Sequence, residues 1–163
     1  MISTCRARRR KGRTAVSSEK KNPLLDEGRR PCLLGVVHLR PLPASPGYDH
    51  GGMDKIISAA KIDAETLLEA GFDGYVIENF GDLPFFPSTV PPATVAAMTR
   101  IACELPTRGT IVIVNVLRND PLAALSLAAA AGLSGLRVNV HTSAMLSDQV
   151  IIEGRAADTL RPR

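Results

Sequence analysis

Residues 32–39, Cys-Leu-Leu-Gly-Val-Val-His-Leu, make a short apolar run between Pro31 and Pro41, the pattern of a strand buried on both faces. After a loop rich in Pro and Gly, residues 53–70 change period. Ile56, Ala59, Ala60, Ala64, Leu67 and Leu68 recur at helical spacing, and Gly71 stands where a helix stops. The alternation then repeats. Residues 74–79 predict a second strand and 94–105 a second helix, with Pro91 and Pro92 just ahead of it. Residues 111–117 predict a third strand, and 121–131 a third helix with Asp120 as N-cap and Gly132 as its stop. Residues 135–140 predict a fourth strand, and 148–160 begin a fourth helix. Four strand–helix units in strict alternation imply an α/β fold with parallel strands. A doubly wound sheet is complete at this size, whereas a (β/α)8 TIM barrel takes about 250 residues and would be half present. The polarity of the strand ends favours the partial barrel.

Composition narrows the core. Hydrophobic residues make up 45% of the 163, aromatic ones only 4%, and there is no Trp. Ala, Val, Leu and Ile must therefore fill it, as in parallel sheets covered by helices. The net charge of +4 hides an asymmetry: residues 1–30 hold ten Lys or Arg and three acids, residues 31–163 ten and thirteen. The first thirty residues, without hydrophobic period, read as a basic, disordered extension. An Arg- and Ser-rich organelle transit peptide is the alternative. Residues 31–163 read as one mildly acidic domain, without the basic face that nucleic-acid binding requires. No apolar run approaches the roughly 20 residues of a membrane span. Cys5, Cys32 and Cys103 form no C-x-x-C pair, which argues against a disulfide framework or zinc site and fits a reducing, cytoplasmic compartment.

The candidate chemistry lies where the strands end. The first strand ends at His38, the second in Glu78-Asn79 with Asp82 beyond, the third around Asn115 with Arg118 following, and the fourth carries Arg137 and Asn139. Barrel enzymes build their active sites from these C-terminal ends. A carboxylate closing an apolar run, as Glu78 does, must pair, ionise in a wet cleft or bind something, because an unpaired buried charge is costly. A structural ion pair with Arg118 or Arg137 is the plain alternative. Arg137 and Asn139, two residues apart, share one side of a strand, and such donors suit an anionic or hydroxyl-rich ligand. The asparagines have a structural alternative in turn closure, and Asp120 is most simply a helix cap. There is no G-x-G-x-x-G, Walker or G-x-S-x-G motif. The carboxylates are too scattered to define a metal site, Glu78 with Asp82 or His38 coming nearest to one. The cofactor is unknown.

The motifs Gly35-Val36-Val37-His38-Leu39, Glu78-Asn79-Phe80-Gly81-Asp82, Asn115-Val116-Leu117-Arg118-Asn119-Asp120, Arg137-Val138-Asn139-Val140 and Ile151-Ile152-Glu153-Gly154 together resemble the BtpA family, over roughly residues 32–163. That resemblance implies a TIM-like barrel and a link to photosystem I biogenesis. It also implies members outside photosynthetic organisms, some among sugar-utilisation genes, with an undefined enzymatic role. The chain departs from the pattern in lacking the glycines usual near Ser143 and Val150, and in stopping after four units.

Three readings follow. The first is a barrel enzyme or binding protein for a small polar, sugar-like molecule, phosphorylated or not, with His38 and Glu78 as acid–base pair. Asn79, Asp82, Asn115, Arg118, Arg137 and Asn139 would bind the ligand. The second is a non-catalytic photosystem I assembly factor. The third is a truncated product, in which two copies pair to bury the open sheet edges.

Overall fold

The computed structural model describes residues 31–161; the predicted basic extension, 1–30, lies outside the described residues. The elements run β1 (Leu34–His38), α1 (Met53–Glu69), β2 (Gly74–Glu78), α2 (Pro92–Glu104), β3 (Ile111–Asn115), α3 (Pro121–Ala131) and β4 (Gly135–Leu136). A hairpin, β5 (Ala144–Leu146) and β6 (Ile151–Glu153), and the short α4 (Ala156–Leu160) follow. Strands β1 to β4 form one sheet in chain order, every pairing parallel. This is the strand order of a partial barrel.

Side chains alternate across the sheet. Val37, Tyr75, Ile77, Val112 and Val114 are fully buried on the face covered by helices, against residues such as Ala64, Met98, Ile101 and Leu127. Each large side chain buried there contributes roughly 1.5–3 kcal/mol. The Tyr75 hydroxyl donates to the Pro106 carbonyl at 2.7 Å, and burial pushes its pKa up to about 12. The other face carries Leu34, Val36, Val76, Ile111 and Ile113 and is open: Val36 is 43% exposed where its neighbour Val37 is 0%. Helix α3 ends as its sequence predicts. Asp120 accepts the Ala123 amide at 3.0 Å, and Gly132 closes the helix at φ 66°, a conformation that favours glycine.

The fourth unit differs from expectation. The strand predicted over 135–140 has ladder pairing only at Gly135 and Leu136, and the helix predicted from 148 begins at Ala156. Two interactions explain this. The Asn119 side chain takes both backbone groups of Val140, donating to its carbonyl and accepting its amide at 3.0 Å each, which replaces a strand partner. Further on, Ser147 Oγ accepts the amides of Gln149 and Val150 and donates to the Val150 carbonyl, closing a turn. The β-branched Ile151 and Ile152 then continue as a strand.

Candidate functional site

Register places the site. His38 pairs with Glu78 and Glu78 with Asn115, so the last residues of β1, β2 and β3 stand in one row. Arg137, just past β4, extends it: its amide still donates to the Val114 carbonyl at 2.8 Å. Glu78 is the centre, and it is only 5% exposed. Its Oε1 accepts from Arg137 Nη1 at 2.6 Å and Asn115 Nδ2 at 3.0 Å, and its Oε2 lies 3.7 Å from His38 Nε2. Asn115 Nδ2 also reaches Asn139 Oδ1 at 3.2 Å, and Asn139 Nδ2 donates to the Arg118 carbonyl at 2.8 Å. Five predicted site residues thus meet: His38, Glu78, Asn115, Arg137 and Asn139. The outer side chains stay accessible, His38 at 51% and Arg137 at 55% exposure. The row therefore combines a buried carboxylate with a solvent-facing imidazole and guanidinium, groups able to accept a proton and to hold an anion.

Arg118 stands apart. It pairs with Asp148 Oδ1 at 2.9 Å, reaches Gln149 Oε1 at 3.3 Å and lies over the Phe85 ring at 4.7 Å. Of the two arginines considered as partners of Glu78, Arg137 takes the position. Arg118 Nε is buried without an acceptor.

Asn79 and Asp82 brace the loops below the row. Asn79 accepts the Leu117 amide at 2.7 Å and donates to Asp82 Oδ2 at 3.1 Å, while Asp82 Oδ1 accepts the Leu42 amide at 2.8 Å. Three strand-end loops are tied through two side chains. Burial raises the Asp82 pKa, and the bonds from Leu42 and Asn79 offset that in part. The path requires glycine at 81, where a Cβ would come within 2.5 Å of the Pro41 nitrogen.

Sequence reasoning missed two aromatic contacts. Phe80 stacks on His38 with ring centroids 4.3 Å apart at 15°, and Phe85 supports Arg118. Their place in the loop after β2, Phe80 directly behind Glu78-Asn79 and Phe85 behind Pro84, where large apolar residues are not needed for a core, is the signal that was available. Among the described residues, no three His, Cys, Asp or Glu side chains come together as metal ligands.

An open parallel α/β sheet with its polar row at the strand C-termini defines a protein of the TIM-barrel type. The BtpA family model matches residues 29–163, and the chain belongs to that family. It is 46% identical over 135 residues to an uncharacterized protein of Pyrococcus furiosus, covering 82% of this chain and 50% of that one. It is 43% identical over 132 residues to the photosystem I biogenesis protein BtpA of Synechocystis sp., covering 80% and 46%. It is 35% identical over 136 residues to the putative sgc region protein SgcQ of Escherichia coli, covering 82% and 50%. The chain spans about half the length of these relatives. No solved structure matches it. Among the described residues no helix is long and apolar enough to cross a membrane.

Proposed function

We propose that the strand-end row binds a small polar ligand of the phosphorylated-sugar type, with His38 and Glu78 as the acid–base pair and Arg137, Asn115 and Asn139 orienting the ligand. The observation that carries this is Glu78, buried yet held beside an accessible imidazole and an accessible guanidinium. Burying a carboxylate carries a desolvation penalty that pairing with a half-exposed arginine offsets only in part, and a ligand-binding role accounts for that cost where stability alone does not. Arg118, with Nε unpaired, adds a second cation next to the row, while Asn79 and Asp82 keep the loops in place. The chain is proposed to work in the cytoplasm, with residues 1–30 as a solvated basic extension.

Calorimetric titration of the full chain with inorganic phosphate and a panel of pentose and hexose phosphates tests the proposal. Binding of at least one sugar phosphate is expected, weakened tenfold or more in Arg137→Ala and in Glu78→Gln. If no compound on the panel binds, or if both variants bind as the wild type does, the proposal fails.

A second reading, a scaffold in photosystem I biogenesis, draws on the 43% identity to the Synechocystis protein that bears that name. It predicts that the gene for this chain restores photosystem I levels in a strain lacking that relative, and that Glu78→Gln does so equally well.

A further inference from the structure

Resting on the reading of the strand-end row as a ligand site, we propose that Arg118 takes the ligand's phosphate group and that Asp148 is a built-in competitor for it. Three oxygens crowd one nitrogen of Arg118. Asp148 Oδ1 lies 2.9 Å from Nη2 and Oδ2 3.1 Å, and Gln149 Oε1 is 3.3 Å from the same atom. Nε, beside it on the same edge of the guanidinium, is buried and has no acceptor. A carboxylate or phosphate that fits that edge puts one oxygen on each nitrogen, in two parallel bonds. Asp148 does not, because the turn that carries it sets its approach. Ser147 Oγ accepts the amides of Gln149 and Val150, and the Ser147 amide donates to the Val150 carbonyl at 2.9 Å. The carboxylate is tethered, and the fork of Arg118 is left half used.

Arg118 itself is held in place. Its side chain is 21% exposed and lies over the Phe85 ring. Its amide donates to the Phe86 carbonyl, and its own carbonyl accepts from Asn139. Asp148 is 68% exposed, and an ion pair with one water-facing member holds weakly. A phosphate group in solution has no tether. It carries about two charges and three acceptor oxygens, enough to satisfy Nε and Nη2 together. The position adjoins the row. Arg118 follows β3 and the hairpin follows β4, both at strand C-termini. The Phe85 ring beneath Arg118 is 6.1 Å from Phe80, which stacks on His38. The phosphate end of a ligand therefore falls on Arg118 and its hydroxyl end on the row, and binding releases the hairpin turn from Arg118.

Titration calorimetry of the full chain at fixed ionic strength, with inorganic phosphate and separately with hexose phosphates, tests this. Asp148→Asn should bind inorganic phosphate roughly two- to fivefold more tightly than the wild type, the strength of a partly exposed ion pair. Arg118→Gln should weaken binding roughly fivefold or more, and should erase the gain when added to Asp148→Asn. Glu104→Gln takes a carboxylate from the ion pair with Lys61, at the C-terminal end of α2. It controls for net charge and should leave phosphate affinity unchanged. In amide NMR spectra of the wild type, phosphate should shift the Ser147, Asp148, Gln149 and Val150 peaks. If Arg118→Gln does not fold, these shifts and Asp148→Asn still decide. Equal phosphate affinity in Asp148→Asn and the wild type overturns the proposal, as do turn peaks that stay put at saturation or the failure of both chains to bind phosphate. Hexose phosphates that lose affinity in Arg137→Ala but ignore Asp148→Asn would leave the row's function standing without this competitor. Inorganic phosphate that tightens in Asp148→Asn, with no hexose phosphate bound, would keep Arg118 as a phosphate subsite and remove the sugar.

Discussion

The first three strand–helix units and the fourth are built on different terms. Strands β1 to β3 are five residues each, paired in full register and packed under α1 to α3. The fourth strand has two paired residues, its continuation is held by the Asn119 side chain, and the hairpin beyond exposes Leu146 at 82% and Ile151 at 66%. Yet both regions supply the polar row proposed as the site, Glu78 and Asn115 from one and Arg137 and Asn139 from the other. Catalytic and binding groups commonly sit on less stable elements held by a rigid scaffold. Here the scaffold positions the buried carboxylate and the loosely paired segment brings the cation.

Truncating one isoleucine in each region sharpens the contrast most. Ile77 is fully buried in β2, and Ile77→Ala should cost about 3–4 kcal/mol through lost burial and the cavity left behind. Ile151→Ala removes the same atoms from the hairpin surface and should change stability by less than about 0.5 kcal/mol. Urea unfolding measures both. Comparable losses would mean that the hairpin is covered in solution and that the two regions form one core.

A smaller effect of opposite sign is expected at Ser143, ahead of the hairpin. Its φ is 64°, in the left-handed region, where a side chain costs roughly 1–2 kcal/mol. Glycine avoids that cost but adds about 0.5–1 kcal/mol of unfolded-state entropy. Ser143→Gly should therefore stabilise the chain by about 0.5 kcal/mol and raise the urea midpoint. A lowered midpoint would show that the serine side chain contributes more than the strain costs.

That residue also shows what the sequence carried. The family resemblance placed glycines near 143 and 150, and the backbone has positive φ at Ser143 and not at Val150. The first three units were legible because apolar runs of period two, helical spacing and the Asp120 and Gly132 caps all agree. The fourth was misread because Arg137-Val138-Asn139-Val140 looks like a strand, while the interaction that ends it, Asn119 on Val140, joins residues 21 apart. Within the site, strand ends located His38, Glu78 and Asn115. Spacing could not say which arginine meets Glu78, since that depends on where the chain goes after β4. Nor could it say that Asn79 and Asp82 hold loops, since their partners Leu117 and Leu42 lie in other units.

The smallest expected effect is a slope with pH, and it tests the bracing of the better-ordered region. Burial raises the Asp82 carboxyl above its ordinary value of 3.8, outweighing the bonds from Leu42 and Asn79. A carboxyl with a higher pKa in the folded state than in the unfolded one binds its proton more tightly when folded. Its contribution to stability is thus greatest in acid, falls as pH rises from 3.8 through the folded-state value, and is level above that. Other carboxylates titrate in the same range, Glu104 with the opposite sign because Lys61 lowers its pKa, so the quantity to measure is a difference. Wild-type stability minus that of Asp82→Asn, followed by urea unfolding from pH 3 upward, should decline with pH and then flatten. A difference that rises with pH would mean that the hydrogen bonds from Leu42 and Asn79 outweigh desolvation. Asp82 would then brace the loops as a hydrogen-bonded anion, and the β1 to β3 loops would owe their order to its charge.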